Sequence, residues 1–263
     1  MSVAAASDFP NAVTVGQTGV PASITVTNTS TPPNAVGNVT LGTITLVPSC
    51  GTFAFTCDPA FADPGVFSLS PTATGEAGTV CAGTTFTITV IDPALGKVQL
   101  IPNNPVVLGP PGGATATCGI TFTFSVNRRP NIDAMPATPG LQTAAIFAAT
   151  GSQGGLTSTG SAVETIVVNA ASPTLSTTAS APVALGGQVG DTATISGGFN
   201  PTGTITFNLF GPNNSLCTGT PGFTSGFWFV NGSAGVNATT YWGAPGDVPV
   251  VLPASIRPVA PPP

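Results

Sequence analysis

Gly16-Gln17-Thr18-Gly19, leading into Ala22-Ser23-Ile24-Thr25, recurs as Gly187-Gln188-Val189-Gly190, leading into Ala193-Thr194-Ile195-Ser196. A second phrase comes after each copy: Gly42-Thr43-Ile44-Thr45-Leu46 in the first and Gly203-Thr204-Ile205-Thr206-Phe207 in the second. Apolar residues alternate with Thr or Ser in both phrases, which is the period of a strand with one face buried. The glycine-bearing stretches before them read as turns. A repeated turn-strand-turn-strand unit means two related β domains in tandem.

Composition points the same way. Only 5% of the 263 residues are charged, and Thr and Val dominate the strand-like stretches. These β-branched residues suit a pleated surface, and the 33 Gly and 28 Pro supply turns between strands. Outside the repeat, Thr84–Ile91 is the strongest strand, turning through Asp92-Pro93-Ala94-Leu95-Gly96 into Lys97–Ile101. In Thr117–Val126, Ile120, Phe122, Phe124 and Val126 share one face. Val39–Val47 reads as a strand ended by Pro48, residues 50–65 as a loop, and Leu141–Ala149 with Ala162–Val168 as closing strands. Further strands are expected over Thr174–Ser180, Thr192–Ser196, Thr202–Phe210 and Gly222–Val230. Short strands at regular spacing indicate sandwiches. The expected organisation is a larger β-sandwich over 8–170, an Ig-like sandwich over 172–252 and a Pro-rich tail over 253–263.

The charge balance excludes some functions. The four cations are Lys97, Arg128, Arg129 and Arg257, against nine acids, a net charge of −5. A phosphate backbone or an anionic membrane surface needs a basic footprint, and this chain has none. No apolar run approaches a membrane span. The start, Met1-Ser2-Val3-Ala4-Ala5-Ala6-Ser7-Asp8, lacks the basic and long apolar parts of a signal peptide; it resembles the residues just after a cleaved one.

There are five cysteines and no His. With no Cys-x-x-Cys either, zinc is disfavoured. Cys50, Cys57, Cys81 and Cys118 fall in the first domain and allow three pairings; the favoured one closes a local loop with Cys50–Cys57 and joins strands with Cys81–Cys118. Cys217 is left over by that pairing. Disulfides imply an oxidising compartment.

Residues 172–225 resemble the Ig-like repeats of secreted actinobacterial surface proteins. The matching motifs are Pro173-Thr174-Leu175, Gly186-Gly187, Asp191-Thr192-Ala193-Thr194, Asn200–Phe207 and the Gly211-Pro212-Asn213 turn with Cys217. The first domain resembles, more loosely, larger domains found beside such repeats. The resemblance implies Ig-like (Greek-key) sandwiches at a cell surface and supplies no catalytic residue. Beyond 225 the aromatics and Gly246-Asp247 are kept, without the family's spacing.

Without His, the usual general base and the His-dependent triads are missing. Asp58, Asp63 and Asp92 each precede Pro and read, like Asp247, as turn residues. Asp58, Asp63 and Glu76 form the one region with acids enough for calcium, but without the spacing of known calcium loops. Arg128-Arg129 is read as a solvated strand end, with Asp133 as the alternative partner. Phe227, Trp228, Phe229, Tyr241 and Trp242 make an aromatic patch, either a sandwich core or a platform for sugar rings or a protein partner.

The function these features lead to is a non-catalytic extracellular or cell-surface spacer, stalk or display module. Its expected partners are other surface proteins or copies of itself, with no cofactor, metal or nucleic acid. The alternatives are a subunit of a self-assembling surface fibre and a carbohydrate-binding module.

Overall fold

The computed structural model describes residues 2–31, 37–182, 184, 188–210, 214–225, 228–231, 237–243 and 254–257; for Gln188 and the residues beyond 225 it describes the backbone only. Among them the sole helical piece is one 3-10 turn, Pro59–Phe61, and the regular structure is otherwise all strand. The chain divides into two compact units, Met1–Ala170 and Ala171–Pro263.

The first unit contains β1 (Val3–Asp8), β2 (Ala12–Thr14), β3 (Val20–Asn28), β4 (Val39–Cys50), β5 (Phe67–Leu69), β6 (Thr72–Gly75), β7 (Thr85–Asp92), β8 (Lys97–Pro102), β9 (Val107–Leu108), β10 (Thr117–Val126), β11 (Gln142–Gln153) and β12 (Leu156–Asn169). They form one 12-stranded sheet in the order β1-β3-β10-β6-β7-β8-β4-β11-β12-β2, with β5 added to β10 and β9 to β4. The sheet curls on itself, because side chains from β3, β10, β4, β11 and β12 all meet in one core cluster. Pairing is antiparallel apart from β2, which runs parallel to the end of β12. β1 belongs to the same unit, so the unit begins N-terminal of residue 8: Val3 is buried and all six residues pair β3. Gly160 on β12 is needed where β1 passes, since a Cβ there would lie 2.6 Å from the Val3 carbonyl oxygen and 2.8 Å from the Ala5 nitrogen.

The alternation in the sequence becomes burial. Ala22, Ile24 and Val26 on β3, Ile44 and Leu46 on β4, and Ile120, Phe122, Phe124 and Val126 on β10 are all buried. Threonines on the outer faces bond across strands, Thr27 to Thr117 at 3.2 Å and Thr74 to Thr121 at 3.1 Å between hydroxyl oxygens.

Two expected strand ends move. β4 does not stop at Pro48 but continues to Cys50, through a register shift opposite Ala144–Ile146. A bulge tolerates the missing N–H of proline. The Cys50 amide there donates to Thr143 Oγ1 at 3.1 Å instead of to a ladder carbonyl. The closing strands are longer than the apolar stretches, and Gly154-Gly155 is the turn of a continuous hairpin pairing Gln142–Gln153 with Leu156–Val167. Both glycines have positive φ, 56° and 82°, as a two-residue type I′ connection requires.

The second unit has β13 (Pro173–Ala179), β14 (Gln188–Gly197), β15 (Thr202–Leu209), β16 (Phe223–Thr224), β17 (Trp228–Asn231), β18 (Asn237–Gly243) and β19 (Ala254–Arg257). Two sheets are described, β13-β14-β18 and a four-stranded one in which β16, β17 and β19 all pair β15. Gln188–Gly190, expected in a turn, is strand: it pairs Gly243–Tyr241 in the β14 ladder. Gly222–Val230, expected as one strand, is β16 and β17. Part of the Pro-rich stretch is also strand, with Ala254–Arg257 paired to Phe207–Thr204. Gly186, Gly187, the Gly211–Asn213 turn and Gly246-Asp247 lie outside the described residues.

The repeat therefore has a packing meaning. In the second unit its two strands belong to different sheets, and Ala193 and Ile195 from one share a core cluster with Ile205 and Phe207 from the other. In the first unit β3 and β4 lie apart along the curled sheet and meet in the same core. The repeated element is a pair of strands meeting in one core, not a hairpin. Truncating it should be costly in both copies: Leu46→Ala by about 2–5 kcal/mol and Phe207→Ala by about 3–5 kcal/mol, read from urea unfolding followed by circular dichroism.

Candidate functional site

The segment that joins β4 to β5 carries most of the chemistry in the first unit. Cys50 ends β4 and is bonded to Cys57, with Cα atoms 6.0 Å apart, which closes a small loop. Asp58 then caps the 3-10 turn, accepting from the Ala60 amide at 2.9 Å. Val47, Cys50, Ala144 and Ile146, on the face of β4 and β11 away from the main core, form a second small core that Cys57 and Ala134 help to cover.

Asp63 is not a turn residue. It is 4% exposed and holds two distant segments together. Arg128 Nη2 donates to its Oδ1 at 2.5 Å, and the amides of Asn131 and Ile132 donate to its Oδ2 at 2.6 and 3.3 Å. Arg128 also donates to the Pro64 carbonyl at 2.8 Å. The solvated strand end expected for Arg128 is thus half of a clamp, and the charge of Asp63 is compensated where it is buried. Asp133, the alternative partner, instead accepts from the amides of Met135 and Leu141 at 2.9 and 3.2 Å. The residues of this clamp are 65 apart in sequence, and no local motif announces it.

Other described carboxylates are also engaged. Asp92 accepts from the Ala94 and Leu95 amides at the tip of the β7–β8 hairpin, at 3.0 and 3.3 Å. Glu164 accepts from Ser7 Oγ at 3.1 Å. Among the described residues no three His, Cys, Asp or Glu side chains come together as a metal site, and Asp58 and Asp63 are taken up as above. Cys81 and Cys118 are bonded, with Cα atoms 5.0 Å apart, joining β10 to the segment after β6. Gly75 is required there, since a Cβ would run into the Cys81 carbonyl.

Asp191 is different. It sits on β14, is buried, and neither carboxylate oxygen has a described hydrogen-bond donor in good geometry. Burial pushes its carboxyl above the ordinary value of 3.8, and nearby main-chain groups of Thr192 and Thr178 offset this only in part.

The strands that carry the aromatic patch belong to two sheets. Trp228 and Phe229 lie on β17, opposite Ile205 and Thr204, and Tyr241 and Trp242 lie on β18, opposite Gly190 and Val189, in the other sheet. Phe227 and the side chains of the other four lie outside the described residues.

Two features absent from the sequence reading stand out on the first unit. Phe53 and Phe55 project into solvent from the disulfide-closed loop, 64% and 67% exposed, and Phe61 does so from the 3-10 turn that follows, 42% exposed. A pocket of about 510 Å³ opens between β5 and the β7–β8 hairpin. Its walls include Pro48, Pro64, Pro71 and Pro93, with Leu69, Ile88, Val90 and Leu95 supplying aliphatic surface. No charged side chain lines it. Residues 50–65 were expected as a loop, and the spacing of Phe53 and Phe55 within it did not tell whether they would be covered.

No protein-family model matches this chain and no curated protein matches it, so the resemblance of residues 172–225 to Ig-like surface repeats stands on the quoted motifs. Among solved structures, AggA, the major subunit of aggregative adherence fimbriae type I from Escherichia coli, is similar at 16% identity, over 64% of this chain and 93% of that one. The TM-score is 0.23, a poor overlap of the two backbones.

Two outcomes are expected. Asp63→Ala should cost about 2–3 kcal/mol by removing hydrogen bonds to a charged group, measured by denaturant unfolding, and should speed proteolysis within residues 51–61. For Asp191 the raised value means that the folded state holds the proton more tightly than the unfolded one. Its stabilising contribution is complete below pH 3.8 and is lost as pH rises through the folded-state value. Asp191→Asn should therefore raise stability at neutral pH relative to the parent, and the gain should vanish in acid; thermal melts at pH 3 and pH 7 read this.

Proposed function

We propose that this chain is a non-catalytic, extracellular structural module, a rigid spacer or display element built from two Ig-like sandwiches. The observation that carries the reading is what its few functional groups do. Asp58, Asp63, Asp92, Asp133 and Arg128 hold loops in place, and the cysteines of the first unit cross-link it. With no His, and with these acids committed to capping and clamping, little is left for proton transfer.

The strand order supports an Ig-like assignment of the first unit. β1-β3-β10-β6 follows the A-B-E-D order of such a sheet, and β2-β12-β11-β4 follows G-F-C with a short parallel strand at the edge. β8 and β7 lie beside β4, where the variable type adds strands, but in the chain they follow β6 instead of preceding it, which departs from that type. The cross-links differ from the inter-sheet B–F bridge of antibody domains, because Cys118 lies on β10 and bonds the β6–β7 connection. Disulfides support placement outside the reducing cytoplasm.

Such a module gains its rigidity from cross-links and from a predominantly apolar core. In the chain-entropy account, a bridge spanning 37 residues contributes about 4 kcal/mol and one spanning 7 about 2 kcal/mol. The native chain should resist protease for hours, and reduction should lower its melting temperature and expose the first unit to cleavage. An oxidised chain cleaved as fast as the reduced one would contradict the reading.

A further inference from the structure

We propose that a second copy of this chain seats its Phe53–Phe55 loop in the pocket between β5 and the β7–β8 hairpin. The proposal goes beyond the structural-module reading, since a spacer need not associate with itself.

The pocket is apolar in its chemistry as well as its outline. Three serines line it, and each hydroxyl is already engaged: Ser49 Oγ with Thr143 Oγ1 at 2.6 Å, Ser68 Oγ accepting from Asn127 Nδ2 at 2.6 Å, and Ser70 Oγ donating to the Thr72 carbonyl at 2.8 Å. The prolines bring no N–H. An apolar occupant leaves these bonds intact, whereas a charged one would lose its hydration without meeting a charged partner in the lining. Along one wall β5 is paired only to β10 among the described residues, so its other edge offers main-chain groups to an incoming loop.

The loop is the matching half. Residues 51–56 carry no charge, and Phe53 and Phe55 are among the most exposed large apolar side chains described. Apolar groups held out in water by a covalent ring are unfavourable alone and favourable once covered. The Cys50–Cys57 bridge limits the loop before contact, which reduces the ordering cost on binding. Both halves are uncharged, so mating them desolvates no ion. A knob and a socket at different places on one surface give open chains of copies unless the geometry closes them into a pair.

The test uses the whole oxidised chain and two variants altered at solvent-accessible positions. Phe53→Ser/Phe55→Ser removes the knob, and Val90→Glu/Leu95→Glu places charge in the socket; circular dichroism verifies that each folds. Sedimentation velocity should show the parent associating with concentration, and each variant at least about tenfold weaker. Mixed, the two variants should form a one-to-one complex, because one retains a socket and the other a knob. A parent that stays monomeric at its highest soluble concentration, variants that associate like the parent, or a mixture that does not associate would overturn the proposal. A monomeric parent leaves the module reading standing, which the reduction experiment addresses separately.

Discussion

Ile24 and Val26 on one strand, and Ile44 and Leu46 on another, leave water by entering the same core, and the same arrangement recurs with Ala193, Ile195, Ile205 and Phe207. Everything else in each unit is arranged around that packing. A strand of alternating Thr and aliphatic residues has one face that must be covered, and with few helix formers and few charges the cover is another such strand. The first unit meets the demand with a single sheet that curls until its ends approach. Gly160 permits the last approach by leaving room for the β1 backbone.

What lies outside the core is held by polar and covalent ties. The link from β4 to β5 leaves its phenylalanines largely uncovered, and it is fixed by a disulfide, a capped 3-10 turn and the Asp63–Arg128 clamp. These ties position the exposed phenylalanines and shape one end of the adjoining pocket, where Gly96 of the β7–β8 turn leaves room for Pro64. Asp58, Asp63, Asp92, Asp133 and Arg128 are engaged in holding loops in shape, which is the ground for the mechanical role proposed. Asp191 differs, a buried acid on β14 whose lost hydration is only partly offset by the main chain of Thr192 and Thr178.

The strands were legible in the sequence because period-two alternation is a local signal. Ile120, Phe122, Phe124 and Val126 could be assigned to one face from their spacing alone, and all are buried. Local signals failed where a partner decides the outcome. Pro48 looked like a terminator, but β4 passes through it at a register shift against β11, and two residues on, the Cys50 amide donates to Thr143, far along the chain. Gln188–Gly190 matched a turn in the first copy of the repeat, yet is held as strand by β18. The clamp between Asp63 and Arg128 and the exposure of Phe53 and Phe55 were invisible for the same reason, since burial and pairing across long separations are properties of the fold rather than of spacing.

Amide hydrogen exchange followed by mass spectrometry tests the packing claim most directly, because it reports protection strand by strand. The slowest peptides should come from β3, β4, β10 and β11 in the first unit and from β14 and β15 in the second, with residues 51–61 exchanging early. Rapid exchange of β4 or β15 alongside a protected 51–61 segment would contradict the account, since it would mean that the repeated strand pair is not what each unit is built on.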